Sequence, residues 1–255
     1  MRSGNARYCL RKHEIGHTAE NALELPGDLT VQANSTPVHS SQTQPHPKLQ
    51  ATIARHLQHV FRREPSAAGR RAFTALGERL LGAAFVLDAG CGTGDSTVAL
   101  ARVFPDRLVI GVDKSAARLV LGQRRLVRAD APQNAILLRC ELVDFWQLAV
   151  SAGLRCSHQF LLYPNPWPKP EQFKRRWPAH PILPAILALG GEIELRTNWR
   201  VYAQEFATAL RLGGRSTSCE AFVADLPLSP FERKYAASGH PLWRCRASLG
   251  PTPES

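Results

Sequence analysis

The stretch Val86-Leu-Asp-Ala-Gly-Cys-Gly-Thr-Gly-Asp95 constrains the fold of this chain more than any other. An apolar, β-branched run ends in glycines at alternate positions, Gly90, Gly92 and Gly94, and passes straight into a helical pattern from Ser96 to Phe104. Glycine is needed where a backbone turns sharply and lets a ligand lie against it with no Cβ in the way. Strand, glycine turn and helix in that order form the entry to a nucleotide-cofactor site. A second apolar run, Leu108-Val-Ile-Gly-Val-Asp113, ends in an acid nineteen residues after Gly94. At that spacing a carboxylate reaches ribose hydroxyls.

The glycine spacing also bears on which cofactor is expected. Gly90-x-Gly92-x-Gly94 lacks the last glycine of the dinucleotide fingerprint, and Asp88 precedes it inside the strand. Two carboxylates beside the pocket repel a pyrophosphate. They suit a ligand carrying an amino group, a ribose and a positive sulfonium, the groups of S-adenosylmethionine; NAD is the rival. Here the chain resembles the class I methyltransferases. The expected partners of Asp88 are the cofactor amine or the amides of the glycine turn, since a buried acid needs one. In that resemblance an acid also follows the third strand near the adenine. Glu141 and Asp144 both lie close, and we choose Glu141 because it directly ends the strand.

Beyond these motifs, apolar spacing predicts helices at Ile53–Phe61, Arg70–Leu81, Ala116–Arg128, Phe145–Val150, Ile182–Leu189 and Val201–Leu212. Strands are expected at Ala135–Cys140, His158–Tyr163, Glu192–Arg196, Cys219–Val223 and Leu242–Leu249. The alternation implies an α/β, doubly wound sheet with helices on both faces. The resemblance, not the periodicity, implies a Rossmann-like methyltransferase fold of seven strands, mostly parallel with the last antiparallel. Tyr202 is read as packing, because aromatics at helical spacing are usually core. Residues 1–50, rich in Ser, Thr, Gln, Asn and Pro without a sustained period, read as an irregular arm that could order on RNA, and 51–255 as the catalytic domain.

The next strong signal is Tyr163-Pro-Asn-Pro-Trp-Pro-Lys169, followed by Lys174-Arg175-Arg176-Trp177. Three prolines stiffen the loop, so Asn165 and Trp167 are presented with little entropy left to lose. The loop follows an apolar strand, and open α/β sheets place ligands at strand carboxyl ends. Trp167 is positioned to stack on a base, and Lys169, Lys174, Arg175 and Arg176 to meet phosphates. Together with the glycine turn, this loop resembles the bacterial tRNA (guanine-N7)-methyltransferases, whose hallmark is Pro-Asp-Pro-Trp-x-Lys leading into a Lys/Arg cluster. Arg196-Thr-Asn-Trp199 resembles that family's Thr-Asp-Trp, and Ser229-Pro-Phe-Glu232 its Thr-x-Phe-Glu. The resemblance covers about Phe85 to Leu249. It implies Asn165 as the catalytic position, with Asn198, Ser229 and Glu232 on the substrate; Glu232 would accept from guanine N1 and its exocyclic amine.

Both aspartates of the family pattern on the substrate side are asparagines here, Asn165 and Asn198. Guanine N7 exposes a lone pair, so attack on a methyl needs alignment more than a general base, and losing a carboxylate is tolerable. A neutral amide still opposes the cation forming on the base less well than a carboxylate does. An asparagine between prolines also resembles the Asn-Pro-Pro-Tyr loop of amino-group methyltransferases. Three readings therefore stand: transfer to guanine N7 in tRNA, transfer to an amino group or a small molecule on the same fold, and an RNA-binding protein without turnover.

A formal charge of +11 favours polyanionic partners. Residues 1–50 hold five basic against four acidic side chains, so the excess belongs to the domain. Cysteines at 9, 91, 140, 156, 219 and 245 form no C-x-x-C pair, and no His spacing makes a metal site, so reduced thiols and no metal are expected. With no apolar leader, no long apolar run and acids breaking any transit-peptide composition, a cytoplasmic protein off the membrane is expected.

Overall fold

The computed structural model describes residues 33–80 and 84–250. Strands β1 (Phe85–Ala89), β2 (Val109–Asp113), β3 (Ala135–Arg139), β4 (Cys156–Leu162), β5 (Glu192–Thr197), β6 (Thr217–Phe222) and β7 (Leu242–Ser248) form one sheet in the order β3-β2-β1-β4-β5-β7-β6. The first five run parallel, and β7 is antiparallel to both β5 and β6. β1 and β2 are buried along their whole length, as expected of parallel strands covered on both faces. The strand order reverses between β1 and β4, and the glycine turn and the proline loop leave the carboxyl ends of these two neighbours.

The helices are α1 (Leu49–Leu57), α2 (Ala67–Thr74), α3 (Asp95–Val103), α4 (Ala116–Leu126), α5 (Leu142–Ser151), α6 (Leu183–Ala188), α7 (Arg200–Leu212) and α8 (Pro230–Ala237). Phe145, Trp146, Ile186, Tyr202 and Phe206 carry the main core against the sheet. Tyr202 packs as predicted, its hydroxyl accepting from the Trp177 amide at 3.1 Å. β2 and α3 approach closely at Gly111, where a Cβ would lie 2.2 Å from Thr97 Oγ1.

Several boundaries differ from expectation. α1 begins four residues before Ile53, with Leu49 buried, and α2 begins three residues before the predicted Arg70, where Ser66 Oγ caps it by accepting from the Gly69 amide, and ends at Thr74 rather than Leu81. α5 starts at Leu142, so Glu141 is its N-cap residue rather than the end of a strand. α8 was not predicted. Residues 33–48 contain no helix or strand but lie in defined contact with the domain; residues 1–32 of the predicted arm fall outside the described residues. Cys219 and Cys245 correct the expectation of reduced thiols, since antiparallel register sets them opposite each other, Cα atoms 4.1 Å apart, and they are joined as a disulfide. No helix among the described residues is long and apolar enough to cross a membrane.

Candidate active site

Gly90, Gly92 and Gly94 have φ of 87°, 57° and 74°, so the turn needs glycine on backbone grounds. A Cβ on Gly92 would meet nothing within 4 Å, which leaves open space over the turn where a ligand can lie against the main chain. Asp113, at the end of β2, faces this turn. Its Oδ2 accepts from the Gly92 amide at 3.1 Å and from Arg118 Nη1 at 3.0 Å, and its Oδ1 from the Ser115 amide at 2.8 Å. Glu141 is exposed next to β3 and pairs with Lys114 at 3.4 Å. Asp144 is engaged elsewhere: it is buried and bonded to Arg63 and Ser66, tying α5 to the segment before α2. These residues fit a ribose-bearing cofactor: a glycine turn open at Gly92, an acid facing it from the end of β2 and a further exposed carboxylate.

Asp88 differs from its predicted role. It is 1 % exposed, and its Oδ2 accepts from Ser96 Oγ at 2.6 Å and Thr97 Oγ1 at 2.7 Å. It pins the start of α3 to β1, and its partners are hydroxyls of this chain rather than a cofactor amine. Burial pushes its carboxyl up to about 6, against the opposing pull of the two hydroxyl bonds. Burial likewise pushes the Cys91 thiol in the turn well above its ordinary range, which makes it inert.

On the other side of the switch point, Asn165 is exposed and its Oδ1 accepts from the Trp167 amide at 3.2 Å, an Asx turn. Tyr163 and Trp167 have φ of 52° and 45°, conformations that a non-glycine side chain holds only when its surroundings enforce them. Trp167 is half-buried, with the Arg175 guanidinium 4.8 Å from its ring centroid. Lys169, Lys174 and Arg175 are exposed.

Arg176 is not a phosphate ligand, contrary to expectation. It is fully buried, and its Nη1 donates to both oxygens of the fully buried Glu205 at 2.8 Å. Its Nε and Nη2 donate to the Trp167 carbonyl at 3.1 and 2.9 Å, and Nη2 also reaches Lys169 O and Gln42 Oε1. All five guanidinium donors are thereby engaged inside the protein. The Trp199 ring lies 4.7 Å beneath the guanidinium, so the motif tryptophan after β5 serves as its platform.

Glu232 and Ser229 are corrected in the same way. Glu232 is fully buried; its oxygens accept from Arg196 Nη1 at 3.1 and 3.0 Å, Tyr163 OH at 2.8 Å and the Leu228 amide at 2.6 Å. It joins the ends of β4 and β5 to α8 and has no edge left for a guanine. Burial, reinforced by Glu232, holds the Tyr163 phenol above its ordinary range, so Tyr163 is a donor here. Ser229 is buried and accepts from the Glu232 amide at 3.2 Å as the cap of α8. Asn198 is half-buried, its Nδ2 3.1 Å from His240 Nδ1.

Arg118, Tyr163, Arg196, Glu205 and His240 were not singled out from the sequence. Two signals were present. Ser229-Pro-Phe-Glu232 has the spacing of a capping box with proline at the first helical position, which announces α8. Glu205 sits among Val201, Tyr202, Phe206 and Ala209 on an apolar helix face, where a carboxylate implies a buried cation.

Residues 83–245 match the model of a family described as "Putative methyltransferase". A tRNA (guanine-N7)-methyltransferase from Anaeromyxobacter dehalogenans is 32% identical over 175 residues, 63% of this chain and 83% of that protein. One from Halorhodospira halophila is 32% identical over 170 residues, 61% of this chain and 70% of that protein. Among solved structures, a 16S rRNA adenine-N1 methyltransferase from Catenulisporales acidiphilia, with cosubstrate SAM, superimposes with a TM-score of 0.51 at 16% identity, covering 73% of this chain and 93% of that one. The 16S rRNA methyltransferase KamB gives a TM-score of 0.50 at 17% identity over 74% of this chain and 96% of that chain. These two structures establish the likeness of fold.

Proposed function

The chain belongs to the tRNA (guanine-N7)-methyltransferase family, and from that membership we propose that it transfers a methyl group from S-adenosylmethionine to N7 of a guanine in tRNA, in the cytoplasm. One observation carries the reading. The open glycine turn with its facing Asp113 and the exposed Asn165–Trp167 loop leave the carboxyl ends of adjacent strands, so donor and acceptor sites share one edge of the sheet.

The bound cofactor supplies an electrophilic methyl on a positive sulfonium. Gly92 gives it backbone clearance, Gly90 and Gly94 serve the turn itself, Gly94 closing against Leu137, and Asp113 offers a carboxylate for the ribose and Glu141 one near the adenine. Guanine N7 has a free lone pair, so no residue of this chain has to remove a proton. The work left is to hold the base in line and keep water out. Trp167 offers a stacking surface, while Lys169, Lys174 and Arg175 hold the flanking phosphates. Asn165 turns its amide dipole toward the charge that develops on the base. Its Oδ1 accepts from the Trp167 amide, which fixes the side chain, and has a second lone pair for the base.

Mass spectrometry of nucleosides from bulk tRNA incubated with the protein and S-adenosylmethionine tests this. New 7-methylguanosine is the expected result. A methylated amino group instead would move the acceptor, and no new methylated nucleoside would overturn the reading.

A further inference from the structure

Residues 35–46 cross the acceptor side of the site and touch its elements one after another. The Ser35 amide donates to Ser238 Oγ at 3.1 Å, and its carbonyl lies 3.0 Å from His240 Nε2, just beyond α8. Ser40 Oγ donates to the Pro168 carbonyl in the proline loop. His46 stacks on Phe173, the ring centroids 3.7 Å apart and the planes 6° from parallel. Between them sits Gln42. Its Nε2 donates to Glu205 Oε1 at 2.9 Å while its Oε1 accepts from Arg176 Nη2 at 3.0 Å, and the His46 amide adds a further bond to Glu205 Oε1 at 2.9 Å. None of these bonds reaches the glycine turn, β2 or α5.

We propose that Gln42 is a positioning residue for methyl transfer, acting through the Arg176–Glu205 pair on the main chain of Trp167. The inference rests on the acceptor-side reading of the Asn165–Trp167 loop. A fully buried ion pair holds one geometry only when all its donors and acceptors are matched. Gln42 supplies one of each, and with the chain around it seals the pair from water. Arg176 in turn holds the Trp167 carbonyl with two donors and reaches the Lys169 carbonyl as well. The positive φ of Tyr163 and Trp167 persists only under such over-determination. Without the amide, Arg176 loses an acceptor and Glu205 a donor, and the guanidinium is free to follow water. Trp167 and Asn165 then lose the fixed presentation on which in-line transfer depends.

Gln42→Ala in the full chain tests this with three readouts. Hydrogen exchange is expected to quicken across residues 165–176 and stay unchanged across 86–97. Calorimetric affinity for S-adenosylmethionine is expected to be unchanged, whereas single-turnover transfer at saturating tRNA falls about ten- to a hundredfold, the range for misplaced reacting groups. A merely structural role would weaken cofactor binding and acceptor transfer together, and that result overturns the proposal. Unchanged exchange over 165–176, or faster exchange with undiminished transfer, overturns it as well. If the parent protein transfers no methyl to tRNA, the proposed function fails. Faster exchange confined to 165–176 then still supports Gln42 as the residue that positions the loop.

Discussion

The Asp113 carboxylate accepts a hydrogen bond from the Gly92 amide at 3.1 Å, across the gap between the ends of β2 and β1. One carboxylate thus holds the middle of the glycine turn, where the proposed function puts the ribose. Its other partners, the Ser115 amide and the half-exposed Arg118, orient the group before any ligand arrives. Asp113→Ala is therefore expected to weaken S-adenosylmethionine binding by more than about 1.5 kcal/mol, the scale of a lost charge-assisted hydrogen bond. Calorimetry measures it, and unchanged affinity would remove Asp113 from the site.

The basic cluster divides into a buried and an exposed part, and the division is testable. Lys174 and Arg175 are exposed, Arg175 with its guanidinium 4.8 Å from the Trp167 ring centroid, whereas Arg176 is bound to Glu205 and the loop carbonyls. Lys174→Ala with Arg175→Ala is expected to weaken tRNA binding and flatten its salt dependence by roughly 0.7–0.9 log units for each phosphate no longer neutralised. Cofactor affinity and thermal stability should hold. An unaltered salt slope would show that these two cations are only a solvated face.

Asp88 gives the protein a pH dependence of definite sign. Its carboxyl, ordinarily near 3.8, is pushed up to about 6 by burial, so the folded state binds this proton more tightly than the unfolded chain does. Between those two values the folded protein carries the proton and the unfolded chain does not. The contribution to stability is therefore largest below about pH 4 and is lost as pH rises through about 6. The loss is about 3 kcal/mol on the scale of one pKa unit per 1.4 kcal/mol. Asp88→Asn keeps a polar group against Ser96 and Thr97 but removes the titration. Urea melts from pH 4 to 7 should show a shallower fall in stability for the variant than for the parent, and parallel curves would refute the assignment.

How far the site could be read from sequence depended on whether a residue's role is fixed by its neighbours in the chain. The three alternate glycines and Asp113 were legible because strand, turn and helix are local, and the spacing to the second acid follows from one βα unit. The sheet followed from alternating helices and strands; its antiparallel last strand came only from resemblance. Arg176 was read as a ligand group because its basic run lies beside the proline loop, and Glu232 because its motif resembles the family's Thr-x-Phe-Glu. The partners that bury them, Glu205 and Arg196, are 29 and 36 residues away. A Lys-Arg-Arg run does not say which side chain a 3-10 turn points inward; the structure turns Arg176 in and Arg175 out. Cys219 and Cys245 met for a comparable reason, since only the β6–β7 register brings them together.

Asn165 is the residue at which loop structure and chemistry can be separated. Its Oδ1 accepts from the Trp167 amide at 3.2 Å, a bond that an aspartate oxygen makes equally well, so Asn165→Asp should leave the Asx turn in place. Asn165 is exposed, so a new carboxylate adds charge without burying it. With guanine N7 as acceptor, positive charge develops on the base, and a carboxylate there is expected to keep or raise the single-turnover rate. With an exocyclic amine as acceptor, the neutral amide is already matched to the substrate and the charge brings no such gain. Transfer to tRNA under single-turnover conditions, with the modified nucleoside identified, separates the two. A steep fall in N7 methylation in the variant would contradict the N7 assignment, while absence of transfer in parent and variant alike would leave RNA binding without turnover.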